Sequence, residues 1–116
     1  MKKILVIDDD ANILEALQLI LEGEGFYVQT ATKGRDAIEQ MSTFIPDVVV
    51  LDVLLSGEDG RVVCKNIKSD QKFSHIPVVM MSAHLTAKES SYEVGADSFL
   101  AKPFDITDLL QKINQF

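Results

Sequence analysis

Three short segments of the chain are apolar at every position, and this feature constrains the fold more than any other. Ile4–Ile7, Val48–Leu51 and Val78–Met81 show no alternation between apolar and polar residues. Continuous apolarity over the length of a strand indicates burial on both faces, which is typical of the central strands of a parallel sheet. These segments therefore predict a sheet that is covered by helices on both sides.

Two further runs are more mixed in character and are interpreted as edge strands. The five predicted strands are Ile4–Ile7, Tyr27–Ala31, Asp47–Leu51, Pro77–Met81 and Ser98–Ala101. Each is followed by a segment with helical periodicity, so the order is βαβαβαβαβα. This alternation predicts an α/β fold with a doubly wound five-stranded parallel sheet and right-handed crossovers. The pattern fills residues 1–116 as one domain.

The helical segments carry apolar stripes at a spacing of three and four residues. The predicted stripes contain Ile13, Leu17, Ile20 and Leu21; Ala37, Ile38, Met41 and Phe44; Val62, Val63 and Ile67; and Ile106, Leu109, Leu110 and Ile113, with a further helix over Thr86–Val94. Aspartates stand where three of these helices begin, and they are predicted to act as N-caps: Asp10, Asp59 and Asp105.

Charge and cysteine content exclude several classes of function. The 116 residues contain 18 acidic and 11 basic side chains, giving a net charge of −7. Direct nucleic acid binding is not expected, because contact with phosphates needs a basic surface. No apolar run approaches the length of a membrane span. The single cysteine, Cys64, is interpreted as a small buried hydrophobe, which fits a cytoplasmic location.

Polar side chains follow four of the five predicted strands. Asp8 and Asp9 come after the first strand, Asp52 after the third, Ser82 after the fourth and Lys102 after the fifth. The carboxyl ends of parallel strands meet at one edge of the sheet, where ligands bind in open α/β folds. We therefore expect these groups to form one site.

Carboxylates gathered at one edge repel each other unless a cation compensates them. An all-oxygen set with few carboxylates and room for water favours Mg²⁺. Zinc is disfavoured because His75 and His84 are not spaced as ligands. Mg²⁺, a lysine and a hydroxyl suit a phosphoryl group, and Asp52 could attack phosphorus as a nucleophile.

Five segments carry a resemblance to a known family: ILVIDDD (4–10), VVVLDVLLSGEDG (48–60), VVMMSA (78–83), GAD (95–97) and FLAKPF (99–104). In this order the chain resembles, along its whole length, the receiver domain of two-component response regulators. The resemblance implies the flavodoxin-like (βα)5 fold, with strand order 2-1-3-4-5. It also implies a signalling switch that catalyses its own phosphorylation and dephosphorylation without being primarily an enzyme.

The resemblance assigns roles by position. Asp52 corresponds to the phosphoacceptor. Asp8, Asp9, Asp52 and the backbone carbonyl of Leu54 correspond to the Mg²⁺ ligands, with Asp8 acting largely through water. Ser82 and Phe99 correspond to the two switch residues, and Lys102 to the lysine that contacts the phosphoryl group. The Lys102–Pro103 peptide bond is expected to be cis.

Three positions depart from the usual pattern of the family. Ser56 stands where proline is usual, which leaves the turn less fixed in the unfolded chain. Phe99 replaces a frequent tyrosine and lacks its hydroxyl. Leu54 and His84 stand at positions that flank the phosphoryl group, and their bulk leads to the hypothesis of slow self-dephosphorylation.

The resemblance also implies partners. The phosphodonor would be a histidine kinase or a histidine phosphotransfer domain that docks near the first helix, where Leu14 and Leu19 are candidate contacts. An output domain or a second copy of the chain would meet the surface of the fourth helix, fifth strand and fifth helix. Candidate residues on that surface are Lys88, Glu89, Tyr92 and Lys112.

Three alternatives remain open at this point. The first is a receiver-like binding module that is never phosphorylated. The second is a phosphatase of the haloacid dehalogenase type, in which Asp8 would be the nucleophile; the chain is short for such an enzyme, and the role of Asp52 would be unexplained. The third is a flavin carrier, which is disfavoured because a phosphate loop and a tryptophan are both missing.

Overall fold

The predicted sheet is present in the computed structural model, which describes residues 2–116. Five parallel strands are present: β1 (Lys3–Ile7), β2 (Tyr27–Ala31), β3 (Val48–Asp52), β6 (Val78–Ser82) and β7 (Ser98–Ala101). They pair in the order β2-β1-β3-β6-β7. A hairpin of two short antiparallel strands, β4 (Leu54–Leu55) and β5 (Glu58–Asp59), was not predicted. Strands β6 and β7 are therefore the predicted fourth and fifth strands, and the predicted order is confirmed.

The elements follow the alternation read from the sequence. The helices are α1 (Ala11–Gly23), α2 (Gly34–Phe44), α3 (Gly60–Ser69), α4 (Ala87–Glu93) and α5 (Ile106–Asn114).

Burial explains why the apolar runs occupy the middle of the sheet. Every residue of β3 and β6 is buried, and β1 is exposed only at Lys3. Alternate residues of these strands pack into two separate cores. Helices α1 and α5 cover one face, whereas α2, α3 and α4 cover the other. This sandwich leaves the carboxyl ends of the strands free to form a crevice.

Two apolar stripes differ from the prediction. In α1 the buried residues are Leu14, Leu17 and Leu21, whereas Ile20 is 42% exposed. Residues 14, 17 and 21 lie three and four positions apart on one helix face, and residue 20 is turned away from that face. In α3, Val62 is 57% exposed for the same reason. Leu14 is thus a core residue and is not available for docking.

Side-chain caps fix where the helices begin. The Asp10 carboxylate accepts hydrogen bonds from the amides of Asn12 and Ile13, and Asp59 accepts one from the Arg61 amide. Asp105 and Asp108 form a reciprocal capping box at α5. These contacts confirm that the three aspartates are caps, which satisfy amides that lack partners inside the helix.

Cys64 lies in the core on the α3 side of the sheet, as predicted. Burial raises the pKa of its thiol to about 11, which keeps the thiol protonated and unreactive. Within residues 2–116, no helix combines the length and the apolar character that crossing a bilayer requires.

Candidate active site

Four strand ends bring the predicted polar residues together. Asp8 follows β1, Asp52 is the last residue of β3, Ser82 is the last residue of β6, and Lys102 follows β7. The parallel register between neighbouring strands aligns these ends, so that Asp52 lies opposite Met81 and Ser82 lies opposite Ala101. The site is therefore a direct product of the sheet topology.

Lys102 joins two of the carboxylates. Its ammonium nitrogen lies 2.8 Å from Asp52 Oδ2 and 3.1 Å from Asp8 Oδ2. Burial disfavours the charged ammonium, but the hydrogen bonds to Asp52 and Asp8 outweigh that effect and raise the pKa of Lys102. The lysine therefore remains a cation and compensates part of the negative charge.

Asp8 is the most deeply buried of these carboxylates, with 1% of its surface exposed. Its Oδ1 accepts the Asp10 amide at 2.9 Å. Burial raises the pKa of Asp8 to about 6, although the Asp10 amide and Lys102 act in the opposite direction. The loss of hydration on burial thus outweighs the stabilisation that the Asp10 amide and Lys102 give to the ionised carboxylate.

Asp9, by contrast, is exposed, and its Oδ2 accepts a hydrogen bond from the Ser56 hydroxyl at 2.8 Å. This hydrogen bond is the main reason why the pKa of Asp9 is lowered. Sequence reasoning missed the contact, because it treated Ser56 only as the loss of a proline. A hydroxyl residue four positions after Asp52 was the available signal.

The three carboxylates suit a divalent cation. One oxygen from each of Asp8, Asp9 and Asp52 lies within 4.8 Å of the other two. Burial raises the pKa of Asp8, and a nearby cation would offset that cost by stabilising the ionised carboxylate. Oxygen ligands and one exposed member that leaves room for water match Mg²⁺. The residues present therefore fit the ion implied by the sequence.

The backbone around Asp52 is tightly packed. Asp52 Oδ1 accepts the Leu54 amide at 3.2 Å, which brings the main chain of Leu54 beside the carboxylate. The Gly60 amide donates to the Val53 carbonyl at 2.7 Å. These contacts fold the β4–β5 hairpin and the start of α3 around the end of β3.

Ser82 is buried, and its Oγ accepts the His84 amide at 3.0 Å. A cavity of about 180 Å³ lies beside it, lined by Val53, Leu54, Arg61, Ser82, His84, Thr86 and Ala87. Leu54 and His84, which the family resemblance assigns to positions beside the phosphoryl group, therefore border one open space.

Phe99 lies in the core on the α2–α4 side, with 6% of its surface exposed. Its ring is therefore already directed inward in this structure. The Lys102 amide donates to the Ser82 carbonyl at 2.8 Å, and the Lys102–Pro103 peptide bond is cis. An apolar groove of about 460 Å³ borders Lys102 and is lined by Ile13, Ala83, Lys102, Pro103 and Phe104.

Comparisons with known proteins agree with this geometry. The family model described as the response regulator receiver domain matches residues 4–114. The chain is 35% identical over 115 residues to the DNA-binding dual master transcriptional regulator RpaA of Synechocystis. That match covers 97% of this chain and 48% of RpaA, so the chain spans about half the length of this relative.

Two solved structures are similar over nearly their whole length. A protein from Chloroflexus aurantiacus J-10-fl, described as a response regulator, has a TM-score of 0.92 and 34% identity, covering 98% of this chain and 95% of the other. Vibrio cholerae chemotaxis protein CheY4 has a TM-score of 0.92 and 27% identity, covering 99% and 98%.

Proposed function

Since the chain belongs to the response regulator receiver domain family of two-component systems, we propose that it is a switch controlled by phosphorylation of Asp52. One observation carries the proposal: the Asp52 carboxylate lies 2.8 Å from the Lys102 ammonium, and one oxygen from each of Asp52, Asp8 and Asp9 lies within 4.8 Å of the other two. A nucleophile, a fixed cation and ligands for a metal thus surround one point.

In the proposed reaction, a lone pair on an Asp52 carboxylate oxygen attacks the phosphorus of the donor. A new P–O bond forms as the bond between phosphorus and the donor's imidazole nitrogen, or its acyl oxygen, breaks. The electrons of that bond leave with the donor. The product is an aspartyl phosphate, whose oxygens Lys102 would pair with, because its ammonium already lies at the carboxylate.

Asp8, Asp9, Asp52 and the Leu54 backbone carbonyl would hold Mg²⁺. When bound, the ion neutralises negative charge on the carboxylates and the phosphoryl oxygens. Lys102 compensates negative charge on Asp8 and Asp52 and keeps the Asp52 carboxylate oriented. Support for the metal comes from the clustered oxygens of Asp8, Asp9 and Asp52, and from the burial of Asp8, whose ionised form a nearby cation would stabilise.

Ser82 and Phe99 would convert this local charge into a change of surface. Ser82 Oγ accepts the His84 amide, and we propose that it turns to donate to the phosphoryl group instead. That movement would alter the packing of Phe99, which lies in the same core as Ala87 of α4. The affected surface is formed by α4, β7 and α5, where an output domain or a second copy would bind.

A histidine kinase or phosphotransfer domain is the proposed donor. Leu19 of α1 is 66% exposed, and the apolar groove next to Lys102 begins at Ile13 of the same helix. Apolar surface beside the reacting group is where a donor would have to dock. A cytoplasmic location is proposed as well, consistent with the single unpaired Cys64.

Intact-mass spectrometry tests the function directly. Incubation with acetyl phosphate should give one phosphoryl adduct that requires Mg²⁺. The adduct should be lost in Asp52→Asn and retained in Asp47→Asn, an exposed carboxylate at the other end of β3. No adduct on a folded chain that binds Mg²⁺, even with a panel of histidine kinases as donors, would favour the unphosphorylated binding module instead.

A further inference from the structure

We infer that Ser56 is a positioning residue that holds the Asp9 carboxylate in the metal-binding arrangement. This inference rests on the proposed function, which gives no role to the Ser56 hydroxyl. Ser56 Oγ donates to Asp9 Oδ2 at 2.8 Å, across 47 residues of sequence. The contact joins the β4–β5 hairpin to the end of β1.

Asp9 needs such a contact because little else restrains it. Its side chain is exposed, whereas Asp8 and Asp52 are buried. The Lys102 ammonium pairs with Asp8 and Asp52, and within residues 2–116 no ion pair reaches Asp9. Repulsion from two nearby carboxylates favours rotamers that carry Asp9 away from the cluster. A hydrogen bond from Ser56 opposes that movement.

The hairpin that carries Ser56 is itself anchored. Ser56 and Gly57 form its two-residue turn, in which Gly57 has a φ of 74°, a conformation that glycine adopts readily. On one side Leu55 is buried in the core. On the other side the Glu58 carboxylate accepts the Gly34 amide at the start of α2. Ser56 is therefore presented from a fixed turn.

The hydroxyl does not use up the ligand capacity of Asp9. A carboxylate has two oxygens and about four acceptor positions, and Ser56 engages one position on Oδ2. The remaining positions stay available to a cation. Partners that orient a metal ligand in this way commonly change metal affinity by about tenfold or more. We expect Ser56 to strengthen Mg²⁺ binding to that extent.

Calorimetric titration of the whole chain with Mg²⁺ tests this role. Ser56→Ala should weaken the affinity about tenfold, and Ser56→Thr, which keeps the hydroxyl, should stay within about twofold of the unaltered chain. Ser56→Pro stiffens the turn without supplying a donor, and it should bind as weakly as Ser56→Ala. Ser42→Ala is the matched control, because the Ser42 hydroxyl donates a hydrogen bond to the Glu39 carbonyl within α2.

A second readout separates positioning from general damage. In Ser56→Ala the Mg²⁺ concentration for half-maximal adduct formation should rise, whereas the rate at saturating Mg²⁺ should stay nearly unchanged. Equal Mg²⁺ affinities of the unaltered chain and Ser56→Ala would overturn this inference and leave the proposed function standing. Normal affinity in Ser56→Pro would also overturn it, since turn stiffness would then be the cause. An unaltered chain that binds no Mg²⁺ would overturn the inference together with the metal-dependent function.

Discussion

Gly60 lies so close to Asp52 that a β-carbon on Gly60 would be 2.0 Å from the Asp52 carbonyl oxygen. The same β-carbon would also approach the backbone of Val53, at 3.1 Å. The obstacle is main chain, which cannot rotate away as a side chain could. The position of Asp52, the proposed phosphoacceptor, at the end of β3 therefore depends on glycine at the first residue of α3.

Gly60→Ala is expected to destabilise the fold by about 1–3 kcal/mol, the usual range for overpacking. Urea unfolding measures the change. Gly23→Ala is the matched control, because a β-carbon there meets nothing within 4 Å. That control should be neutral or slightly stabilising, since alanine is the better helix former. Equal stability of the two variants would show that the Asp52 backbone yields easily.

The burial of the Asp8 carboxylate predicts that Asp8→Asn stabilises the chain without metal. A rise of the Asp8 pKa from 3.8 to about 6 corresponds to a penalty of about 3 kcal/mol for the ionised group at pH values above both. The folded state binds this proton more tightly than the unfolded state does. The penalty is therefore complete above about pH 6 and disappears as the pH falls toward 3.8.

Urea unfolding across this pH range, compared between Asp8→Asn and the unaltered chain, isolates the effect of Asp8 from that of other carboxylates. The stability advantage of the variant should shrink as the pH falls. Mg²⁺ should reduce the advantage at neutral pH, because the ion would stabilise the ionised Asp8 carboxylate. An advantage that stayed constant with pH would contradict the assignment of the raised pKa to Asp8.

Removal of Lys102 should have the opposite effect. Lys102→Met leaves Asp8 and Asp52 without their ammonium partner, and loss of one member of a buried pair costs roughly 3 kcal/mol. Thermal unfolding at neutral pH measures the loss, and Mg²⁺ should restore part of it. Lys65→Met, at an exposed position of α3, is the control. Unchanged stability in Lys102→Met would mean that the pairs are not stabilising.

The cavity beside Ser82 bears on how long the phosphoryl group lasts. Leu54 and His84 both line this cavity of about 180 Å³, which is the proposed approach for the water that hydrolyses the adduct. Replacing both with alanine should open the approach and shorten the lifetime of the adduct. Time-resolved intact-mass spectrometry after removal of the donor gives that lifetime. A lifetime that did not change would contradict the hypothesis of steric protection.

The sheet and most of the site could be predicted because their signals are local. Continuous apolar runs identified β1, β3 and β6, and the topology then placed Asp8, Asp52, Ser82 and Lys102 at one edge. The β4–β5 hairpin gave no such signal, since each of its strands has only two residues. The contact between Ser56 and Asp9 depends on that hairpin, so the hydroxyl at position 56 was not by itself enough to predict it.

The predicted apolar stripe on α1 was wrong at Ile20, for a different reason. Ile20 and Leu21 are both apolar, and periodicity alone cannot decide which of two neighbouring residues faces the sheet. Packing against the sheet settles the choice: Leu21 is fully buried and Ile20 is 42% exposed. Exposed apolar residues of this kind are common and need no special explanation. On α1, however, they lie on the helix where the proposed phosphodonor would dock.

The central claim is that the acyl phosphate forms on Asp52, and the most direct test identifies the modified residue. Borohydride reduces an acyl phosphate to an alcohol, so the phosphorylated aspartate becomes homoserine, which tandem mass spectrometry of peptides can locate. After incubation with acetyl phosphate and Mg²⁺, homoserine should be found at position 52. Homoserine at position 8 or 9, with position 52 unmodified, would contradict the account and favour the phosphatase-like alternative.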